Sequence, residues 1–485
     1  MSDSKTCPSG NLYPLPSREH LLNKYLNVEL TSWSLPTPAA IIDRAIVRRN
    51  CDAMLNVCHA LGVAFRAHVK SHKTIELSRM QVGDDDSRTA HFAVSTLIEA
   101  ENLVPLANEY QARGRKCNIL YAVPLPPSSL PRLHHLAARL PPNTISILLD
   151  NPTALTAFLS HPSASTASIG IFIKIDTGYA RAGLSPSSPT FRSTLQDMVR
   201  RSGTSFTGLY SHYGHSYGGS GEDDALRGLL EELQGLENAA KYLPAEFQGS
   251  LVLSVGATPT ATAAQNLFSS DSGSAKVAEV RQTLARLKNK GCEVELHAGV
   301  YPLLDLQQVA THARPAKIPP SQSSSSHNSS ETPAFQPLSK SNIALRILAE
   351  VSSVYPERSP PEALINAGSL ALGREPCRSY PGWGILSSCL ELGSESSTTA
   401  PIYDEQGDRE GWIVSRISQE HGILAWQGES ERFREVQVGD RVAVWPNHAC
   451  VAGAGFGWYY VVDSQETEET GKEKVVDVWV RWRGW

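Results

Sequence analysis

Eight short apolar runs alternate with helical segments in the middle of this chain, and this alternation constrains the fold more than any other feature. The first run begins at Val63 and ends before Lys70, and the other seven cover residues 91–95, 117–123, 144–149, 169–175, 206–211, 251–255 and 292–296. Strands that alternate with helices form a parallel sheet, because each helix returns the chain across it. Eight such units in about 250 residues predict a (β/α)8 TIM barrel. The rival, a doubly wound open sheet, does not require eight units.

The segments between the runs have helical periodicity. A helix is predicted at about 44–61, directly after a short strand that ends at Asp43. Another helix is predicted at about 276–290, and the clearest one follows the sixth run. Its acidic start at 222–224 suits the helix dipole, and its apolar residues recur at helical spacing: Leu226, Leu229, Leu230, Leu233 and Leu236.

The character of the chain changes after the barrel, which is predicted to span 41–315. Residues 316–341 are rich in serine and poor in apolar side chains, so they are predicted to be a disordered insertion at a domain boundary. Residues 342–485 are predicted to form an all-β domain that carries a metal site, and residues 1–40 are expected to join it. Within this domain, the acidic run 466–469 is interpreted as a solvated hairpin loop. The strand-like runs of the domain are 343–354, 363–371, 412–418, 422–427, 440–445, 458–462 and 475–482.

Composition excludes several classes of function. The 485-residue chain has a formal net charge of -5 and no basic block, which argues against a nucleic-acid partner. No apolar run approaches the roughly 20 residues that a membrane-spanning helix needs, and the first residues lack an apolar leader. The eight cysteines have no framework spacing. These features predict a reduced, cytoplasmic protein.

The first candidate for catalysis is Lys70, which follows the first predicted strand. Arg66, His68, His72 and Lys73 surround it in sequence. Neighbouring positive charge and partial burial both lower the pKa of an ammonium group, and a neutral lysine amine is a nucleophile that forms a Schiff base with a carbonyl cofactor. The alternative interpretation is a solvated basic loop.

Two glycine-containing loops follow the seventh and eighth predicted strands. The first contains Gly256 and Thr258, and the second contains Gly299. Barrels often bind phosphate at these two positions, where glycine lets backbone N–H groups approach an anion. Each glycine is otherwise explained as a turn residue. Two such loops, together with a Schiff-base candidate at Lys70, predict a phosphorylated carbonyl cofactor, and pyridoxal 5'-phosphate meets that description.

The second constellation is His448 and Cys450, directly after the strand-like run 440–445. Residues two apart in an extended backbone point to the same side, so these two side chains could bind one metal ion, with zinc as the natural occupant. The alternative is a buried cysteine beside a structural histidine. Two protein ligands are fewer than the three that are usual at catalytic zinc, so water or substrate would complete the shell.

With these residues in view, the chain resembles the eukaryotic D-serine dehydratases, within the alanine-racemase-like (fold type III) pyridoxal-phosphate enzymes. The resemblance extends from about Thr37 to the end. Together, the matching pieces are specific: residues 68–73, 176–179, the two tyrosines of 210–217, 256–259, 295–299, 420–422 and 446–450.

The resemblance implies a role for each matching residue. Lys70, rather than Lys73, would hold the cofactor covalently and act as the catalytic base. Arg181 would lie near the phenolic oxygen of the cofactor or the substrate carboxylate, and His297 would lie near the pyridine nitrogen, where racemases carry an arginine. His448 and Cys450 would be the zinc ligands. The remaining cofactor-binding residues would be Tyr210, His212, Tyr217, Gly256, Thr258 and Gly299.

The implied reaction is β-elimination of D-serine to pyruvate and ammonia by a homodimer. A dehydratase of D-threo-3-hydroxyaspartate is the first alternative, because its substrate differs by one carboxylate. A metal-dependent D-threonine aldolase has a carboxylate in place of the Cys450 thiolate. The non-catalytic pyridoxal-phosphate-binding homeostasis proteins share the barrel and the lysine, but they lack a C-terminal β domain.

Overall fold

The computed structural model contains a closed parallel barrel and a nine-stranded sheet. Most of the predicted Ser-rich insertion lies outside the described residues. Within the part of the chain that the structure describes, no helix is both long and apolar enough to cross a membrane. The described residues are 14–162, 168–247, 251–269, 274–317, 334–390, 401–429 and 432–485.

The chain first forms helix α1 (Arg18–Tyr25), strand β1 (Ala39–Asp43) and helix α2 (Arg44–Leu61). The bounds of α2 confirm the predicted helix. Its beginning is fixed by Asp43, whose carboxylate accepts hydrogen bonds from the N–H groups of Ala45 and Ile46.

Eight parallel strands then close into a barrel, in which each strand pairs with the next and the last pairs with the first. This arrangement confirms the predicted (β/α)8 fold, and every predicted strand has a counterpart. The strands are β2 (Ala64–His68), β3 (Ala90–Val94), β4 (Cys117–Pro124), β5 (Ile145–Leu149), β6 (Ile169–Lys174), β7 (Phe206–Tyr210), β8 (Val252–Val255) and β9 (Glu293–Ala298).

Helices connect the barrel strands. The predicted helices after 222 and near 276–290 are confirmed as the eighth and tenth helices. The helices of this region are α3 (Ile75–Val82), α4 (Leu97–Ala112), α5 (Leu130–Ala137), α6 (Pro152–Leu159), α7 (Phe191–Ser202), α8 (Glu222–Ala240), α9 (Thr258–Thr262), α10 (Ala275–Asn289) and α11 (Leu306–Val309).

The barrel interior is divided between apolar and polar side chains. The apolar part is a cluster of Leu120, Leu148, Phe172 and Tyr210. The polar part is centred on the ion pair between Arg66 Nε and Glu295 Oε1, which are 2.6 Å apart and both buried. Since a buried ion pair requires further hydrogen bonds to offset its desolvation, polar side chains from several strands gather around it.

The second sheet contains nine strands in the order β11-β14-β13-β12-β15-β10-β1-β16-β17, and β11 also pairs with β10. Strand β1 therefore lies in this sheet, between β10 and β16, and α1 packs near its edge, where Arg18 Nε donates a hydrogen bond to the carbonyl of Val478. The strands after the barrel are β10 (Leu345–Tyr355), β11 (Glu362–Ile365), β12 (Gly384–Leu390), β13 (Gly411–Ile417), β14 (Gly422–Gln427), β15 (Arg441–Pro446), β16 (Trp458–Val462) and β17 (Asp477–Val480).

One predicted strand of this region is wrong in its extent, and one observed strand was not predicted. The strand expected over 363–371 ends at Ile365, and its last residues form a short helix, α12 (Ser369–Leu372). Strand β12 has no counterpart among the predicted runs. It follows a turn rich in proline and glycine, and its Ser387 and Ser388 interrupt the apolar pattern.

The interpretation of 466–469 as a hairpin loop is also wrong. Two short helices lie beyond β15, α13 (Ala449–Ala452) and α14 (Ser464–Thr470), and the acidic run belongs to α14. Asp463 caps α14 by accepting a hydrogen bond from the N–H of Gln465. Arg44, at the start of α2, forms ion pairs with both Asp463 and Glu466, at 2.8 and 2.9 Å. These ion pairs neutralise the negative charge at the start of α14.

Candidate active site

A cavity of about 510 Å³ opens where the carboxyl ends of the barrel strands meet the second sheet. Barrels of this type carry their active sites at this end, because the loops after the strands converge there. Ten of the predicted site residues line the cavity: Lys70, Arg181, Tyr210, His212, Tyr217, Thr258, His297, Gly299, His448 and Cys450.

Lys70 lies in a single helical turn, Val69–Ser71, directly after β2. The ring of His68 accepts a hydrogen bond from its backbone N–H at 3.4 Å. The Lys70 side chain is half-buried and lines the cavity. Lys73, in contrast, pairs with the buried carboxylate of Glu99 at 3.0 Å and has a left-handed backbone with φ 53°. The two lysines therefore have different environments, and only Lys70 borders the cavity.

The two histidines near Lys70 are neutral, so the prediction that they add positive charge is wrong. Burial, followed by the charge of Lys70, lowers the pKa of His68 well below its usual range. Burial lowers the pKa of His72 to about 3, and its ring lies 3.1 Å from Thr74 Oγ1 and 3.0 Å from Gln81 Oε1. Arg66 is also committed elsewhere, since its guanidinium points into the barrel and pairs with Glu295.

The loops after β8 and β9 meet at Thr258. The Thr258 hydroxyl oxygen accepts hydrogen bonds from the backbone N–H groups of Gly299 at 3.4 Å and of Val300 at 3.3 Å. All three residues line the cavity. Gly256 is not part of the lining: it lies behind it, and its carbonyl accepts a hydrogen bond from Nδ1 of His212 at 2.9 Å.

A buried carboxyl group holds these loops from behind. Glu232, on α8, accepts hydrogen bonds from the Ser211 hydroxyl at 2.7 Å, the Gly256 N–H at 3.0 Å and the Thr260 hydroxyl at 3.0 Å. Burial raises the pKa of Glu232 to about 7, and the three hydrogen bonds only partly offset it. The segments after β7 and β8 are therefore anchored to one side chain, which no sequence motif indicated.

Two aromatic rings form the inner wall of the cavity. The rings of Tyr210 and His297 are stacked, with centroids 4.2 Å apart and planes within 6° of parallel. Burial lowers the pKa of His297 to about 3 and raises that of the Tyr210 phenol. Among the described residues, Nε2 of His297 has no hydrogen-bond partner although it is buried.

His448 and Cys450 both line the cavity, on the side of the second sheet. His448 has an extended backbone, but Cys450 lies in the first turn of α13, so the extended-strand reasoning applies only to His448. Burial lowers the pKa of His448, but the hydrogen bond and charge of Cys450 outweigh it, and the net pKa is raised to about 9. Burial opposes ionisation of Cys450, yet His448 lowers its pKa below the usual range. The pair thus favours an imidazolium and a thiolate.

Contacts around this pair join it to the barrel. Sγ of Cys450 lies 3.1 Å from the Ser71 hydroxyl, whose hydrogen bond also lowers the pKa of Cys450, and Ser71 is one residue from Lys70. Asp305 accepts a hydrogen bond from the Ala449 N–H at 2.9 Å. No group of three or more His, Cys, Asp or Glu side chains that could bind a metal ion occurs within the described residues.

Sequence reasoning missed two charged cavity residues, Lys174 and Glu375. Lys174 is the last residue of β6, and burial, followed by the charge of Arg181, lowers its pKa to about 8. A lysine at the carboxyl end of an otherwise apolar barrel strand was the available signal. Glu375 lies in the connection between α12 and β12 and had no pattern to mark it.

The predicted residue Arg181 and the matching run 420–422 are more peripheral. Arg181 is exposed at the cavity entrance, where its guanidinium lies 5.1 Å from the ring centroid of Tyr179. Glu420 and His421 are not in the cavity: they lie in the exposed turn between β13 and β14.

The fold and this cavity define an alanine-racemase-like enzyme. A family model described as the N-terminal domain of alanine racemase matches residues 42–275, and one described as a putative serine dehydratase domain matches 344–462. The crystal structure of an alanine-racemase-like protein from Idiomarina loihiensis has the same fold. Its TM-score is 0.67 at 24% identity, and the match covers 95% of this chain and 100% of that one.

Within that class, the chain belongs to the family of eukaryotic D-serine dehydratases. The D-serine dehydratase of Schizosaccharomyces pombe is 33% identical over 484 residues, which cover 98% of each chain. A solved D-threo-3-hydroxyaspartate dehydratase, a cysteine-to-alanine mutant in its metal-free form, matches with TM-score 0.67 and 25% identity over 94% of this chain and 100% of that one. Family membership makes this chain a lyase.

Proposed function

We propose that this chain is a pyridoxal 5'-phosphate- and zinc-dependent dehydratase that converts D-serine to pyruvate and ammonia. The observation that carries the proposal is that Lys70 and the pair His448–Cys450 face one cavity from opposite domains. A base for the α-proton and a metal site for the β-hydroxyl are the two groups that a β-elimination needs. The family's D-serine dehydratases provide independent support.

The cavity wall fits pyridoxal phosphate. The Thr258 hydroxyl would donate to a phosphate oxygen, and the N–H groups of Gly299 and Val300, which donate to the Thr258 oxygen in this structure, hold it in the cavity wall. The partnerless Nε2 of His297 is suited to a polar ring atom. Lys70 would hold the cofactor covalently, with Tyr210, His212 and Tyr217 around it, and Gly256 would act from behind through its hydrogen bond with His212. When bound, pyridoxal phosphate supplies an electron-accepting ring that makes the α-proton of an amino acid acidic.

The donor set of His448 and Cys450 fits zinc. A bound metal would displace one ring proton of the His448 imidazolium, and the resulting imidazole and thiolate are ligands that zinc prefers. Nδ1 of His448 has no hydrogen-bond partner among the described residues. When bound, zinc supplies a Lewis acid that assists departure of hydroxide from the substrate. The similarity to a dehydratase described in a metal-free form supports a metal in this family.

The chain's own residues then perform three tasks. Arg181, at the cavity entrance, and Lys174, which is buried in the cavity wall at the end of β6, bind the substrate carboxylate. The Lys70 amine removes the α-proton from D-serine, and His448 and Cys450 keep the β-hydroxyl near the metal position. Loss of the α-proton and hydroxide, which together make water, leaves 2-aminoacrylate. Hydrolysis of its imine form consumes one water and gives pyruvate and ammonia.

One observation favours D-serine over D-threo-3-hydroxyaspartate. Glu375 lines the cavity together with His448, and its charge acts on that histidine. A second carboxylate on the β-carbon would be held near this side of the cavity and would be repelled by Glu375. Cys450, rather than a carboxylate, also favours dehydration over the aldolase reaction.

The deciding experiment measures pyruvate release from D-serine by the purified enzyme, before and after chelation and after zinc is restored. We expect activity that is lost with the metal and recovered with zinc, and an absorbance band for the lysine-bound cofactor that persists throughout. D-Threonine and D-threo-3-hydroxyaspartate serve as competing substrates. Full activity after complete zinc removal would overturn the metal role.

Two pairs of variants assign the roles. Lys70→Ala should abolish the cofactor absorbance and lower activity by roughly 10²–10⁴-fold or more, whereas Lys73→Ala should retain the absorbance. Cys450→Ala should abolish elimination but keep the absorbance. Cys292→Ala, at the opposite end of the barrel, is the thiol control. Loss of the absorbance in Lys73→Ala instead of Lys70→Ala would reverse the assignment.

A homodimer is part of the proposal. Leu370 and Val451 are 56% and 38% exposed on the adjacent helices α12 and α13, and Tyr179 and Tyr217 are similarly exposed at the cavity entrance. A second copy would cover this apolar surface. Light scattering of the purified protein should give twice the chain mass. The six cysteines whose side chains are described are free thiols, which supports the cytoplasm as the compartment.

A further inference from the structure

A chain of buried polar side chains crosses the barrel interior and ends at the cavity wall. Glu295 is at its centre, and its Oε1 accepts hydrogen bonds from Arg66 Nε at 2.6 Å and from the Ser254 hydroxyl at 2.7 Å. Its Oε2 lies 2.6 Å from His91 Nδ1. The Ser254 oxygen also lies 3.0 Å from Nδ1 of His297. His297 therefore connects Glu295 to the cavity through one serine.

Glu295 is an ionised carboxylate. Burial opposes its ionisation, but the charges of Arg66 and His91 outweigh this effect and hold the pKa of Glu295 well below its usual range. An ionised carboxylate can only accept hydrogen bonds. Each of the three side chains that contact it must therefore donate.

Ser254 has a single hydroxyl hydrogen, and the contact with Glu295 uses it. If that hydrogen pointed to His297 instead, lone pairs of two oxygens would face each other at 2.7 Å. The contact between Ser254 and His297 must then be made with a hydrogen from the imidazole. His297 consequently carries its hydrogen on Nδ1.

The other ring nitrogen of His297 then has a free lone pair. Because burial keeps this imidazole neutral, with its pKa lowered to about 3, Nε2 carries no hydrogen. Nε2 has no partner among the described residues, and His297 lines the cavity. Stacking on Tyr210, with centroids 4.2 Å apart, fixes the plane of the ring.

We propose that Glu295, acting through Ser254, is a positioning residue that fixes the Nδ1–H tautomer of His297, so that the cavity wall accepts a hydrogen bond at this point. A ligand atom that faces Nε2 must then carry a hydrogen. Here the inference rests on the proposed function: the atom is the ring nitrogen of pyridoxal phosphate in its protonated form. An arginine at this position would donate instead and would favour the unprotonated ring.

The tautomer can be read directly by ¹⁵N NMR of the holoenzyme labelled at histidine. The two ring nitrogens of a neutral histidine have well-separated shifts that depend on which one carries the hydrogen. Comparison with His297→Gln identifies the signals of this residue. We expect a protonated Nδ1 and an unprotonated Nε2. The opposite tautomer, or an imidazolium, would overturn the proposal.

A pair of hydroxyl deletions tests whether Ser254 is the link. Ser254→Ala removes the hydroxyl that accepts from Nδ1–H and leaves the Gly256 backbone as the other hydrogen-bond partner of this ring, so the His297 signals should move part of the way towards the values of a tautomer mixture. Ser211→Ala is the matched control, because its hydroxyl, one residue after the neighbouring strand β7, donates to Glu232 and not to Glu295. Signals that stay unchanged in Ser254→Ala, or that move equally in both variants, would show that the tautomer is set elsewhere.

The claim that Nε2 of His297 faces the protonated ring nitrogen of pyridoxal phosphate is tested by measuring ligand binding to the apoenzyme. Pyridoxal phosphate is compared with its 1-deaza analogue, in which C–H replaces the ring nitrogen. We expect the analogue to bind at least about tenfold more weakly, the value of one buried hydrogen bond, and the ratio to shrink in Ser254→Ala. Equal binding of both ligands would overturn this part. If neither ligand bound, the proposed function would fail, while the NMR spectrum would still decide the tautomer.

Discussion

A β-carbon on Gly256 would lie 2.2 Å from the carbonyl oxygen of His297. The backbones of the loop after β8 and of strand β9 therefore touch at this point, and Gly256 has a φ of +147°, which side-chain-bearing residues rarely adopt. This contact brings the two glycine-containing loops of the cavity together. The glycine is required by packing as well as by the turn.

Gly256→Ala should lower the free energy of unfolding. The added methyl group has rigid backbone as its neighbour, so the strand must move, at a cost of about 1–3 kcal/mol or more. Displacement of His297 should also weaken cofactor binding. Denaturant unfolding and titration of the apoenzyme with pyridoxal phosphate measure the two effects.

Gly299→Ala is the matched control. A β-carbon there would meet its nearest neighbours, the His68 β-carbon and the Ser71 hydroxyl, at 3.5 Å, which is ordinary contact. Its free energy of unfolding should change by less than about 1 kcal/mol. Equal destabilisation by both substitutions would mean that the close approach at Gly256 is not what matters.

Lys174 predicts an alkaline decline in activity. Its pKa is lowered to about 8, so the free enzyme loses this positive charge as pH rises through that value. Because the charge attracts the substrate carboxylate, kcat/KM for D-serine should fall over the same interval. The profile of Lys174→Gln, which is neutral throughout, should be lower at pH 7 and lack this decline.

Lys73→Gln is the control for the alkaline profile, since Lys73 is paired with Glu99 and does not line the cavity. Its kcat/KM should decline as that of the unmodified enzyme does. A decline that persists unchanged in Lys174→Gln would assign the titration to another group.

The alternation of strands and helices was sufficient to predict the barrel and to locate the ends of its strands. Lys70, Thr258 and Gly299 could be assigned to one cavity on that basis, because all barrel strands end on the same face. Periodicity shows which face of a helix or strand is apolar. It therefore predicts an element correctly where that face packs against the hydrophobic core. It also explains why the bounds of α2 were predicted correctly.

Hydrogen-bond and ion-pair partners on different barrel strands could not be predicted. They depend on which side chains meet in the folded protein, and the local sequence pattern does not contain that information. Glu295 was noticed only as part of a matching run, although it orders Ser254 and His297. Glu232 is one of several acidic residues on an amphipathic helix, and only the structure shows it behind the loops. The acidic run in α14 was misread because its neutralising partner, Arg44, is more than four hundred residues away.

Glu232 predicts a pH-dependent contribution to stability. Its pKa is raised from 4.5 to about 7 in the folded protein, so folding favours the protonated form. The stabilisation is complete below pH 4.5 and is lost as pH rises through about 7. From about 1.4 kcal/mol per pKa unit, the loss amounts to roughly 3 kcal/mol.

Glu232→Gln isolates this effect, because glutamine keeps the shape of the neutral acid and does not titrate. The stability of the unmodified protein relative to the variant, measured by urea unfolding, should decrease from pH 5 to pH 8. A difference that does not vary over this range would mean that Glu232 titrates in the folded and unfolded states alike.

The position of Glu375 leads us to expect a preference for D-serine over D-threo-3-hydroxyaspartate. Its carboxylate is on the cavity wall that also contains His448 and Gln307. Since like charges repel most strongly where water is partly excluded, a substrate with a second carboxylate is disfavoured here. Glu375→Gln removes the charge and preserves the size. The ratio of kcat/KM for D-threo-3-hydroxyaspartate to that for D-serine should rise by about tenfold, which corresponds to about 1.4 kcal/mol.

Two further variants decide whether position, and not total charge, causes this change. Gln307→Glu adds a carboxylate to the same wall and should lower the ratio. Glu293→Gln removes one charge at the opposite end of the barrel, where it lines a separate cleft, and should leave the ratio unchanged. If Glu375→Gln and Glu293→Gln shifted the ratio equally, the preference would arise from the net charge of the protein. If neither shifted it, selectivity for D-serine would depend on the shape of the cavity.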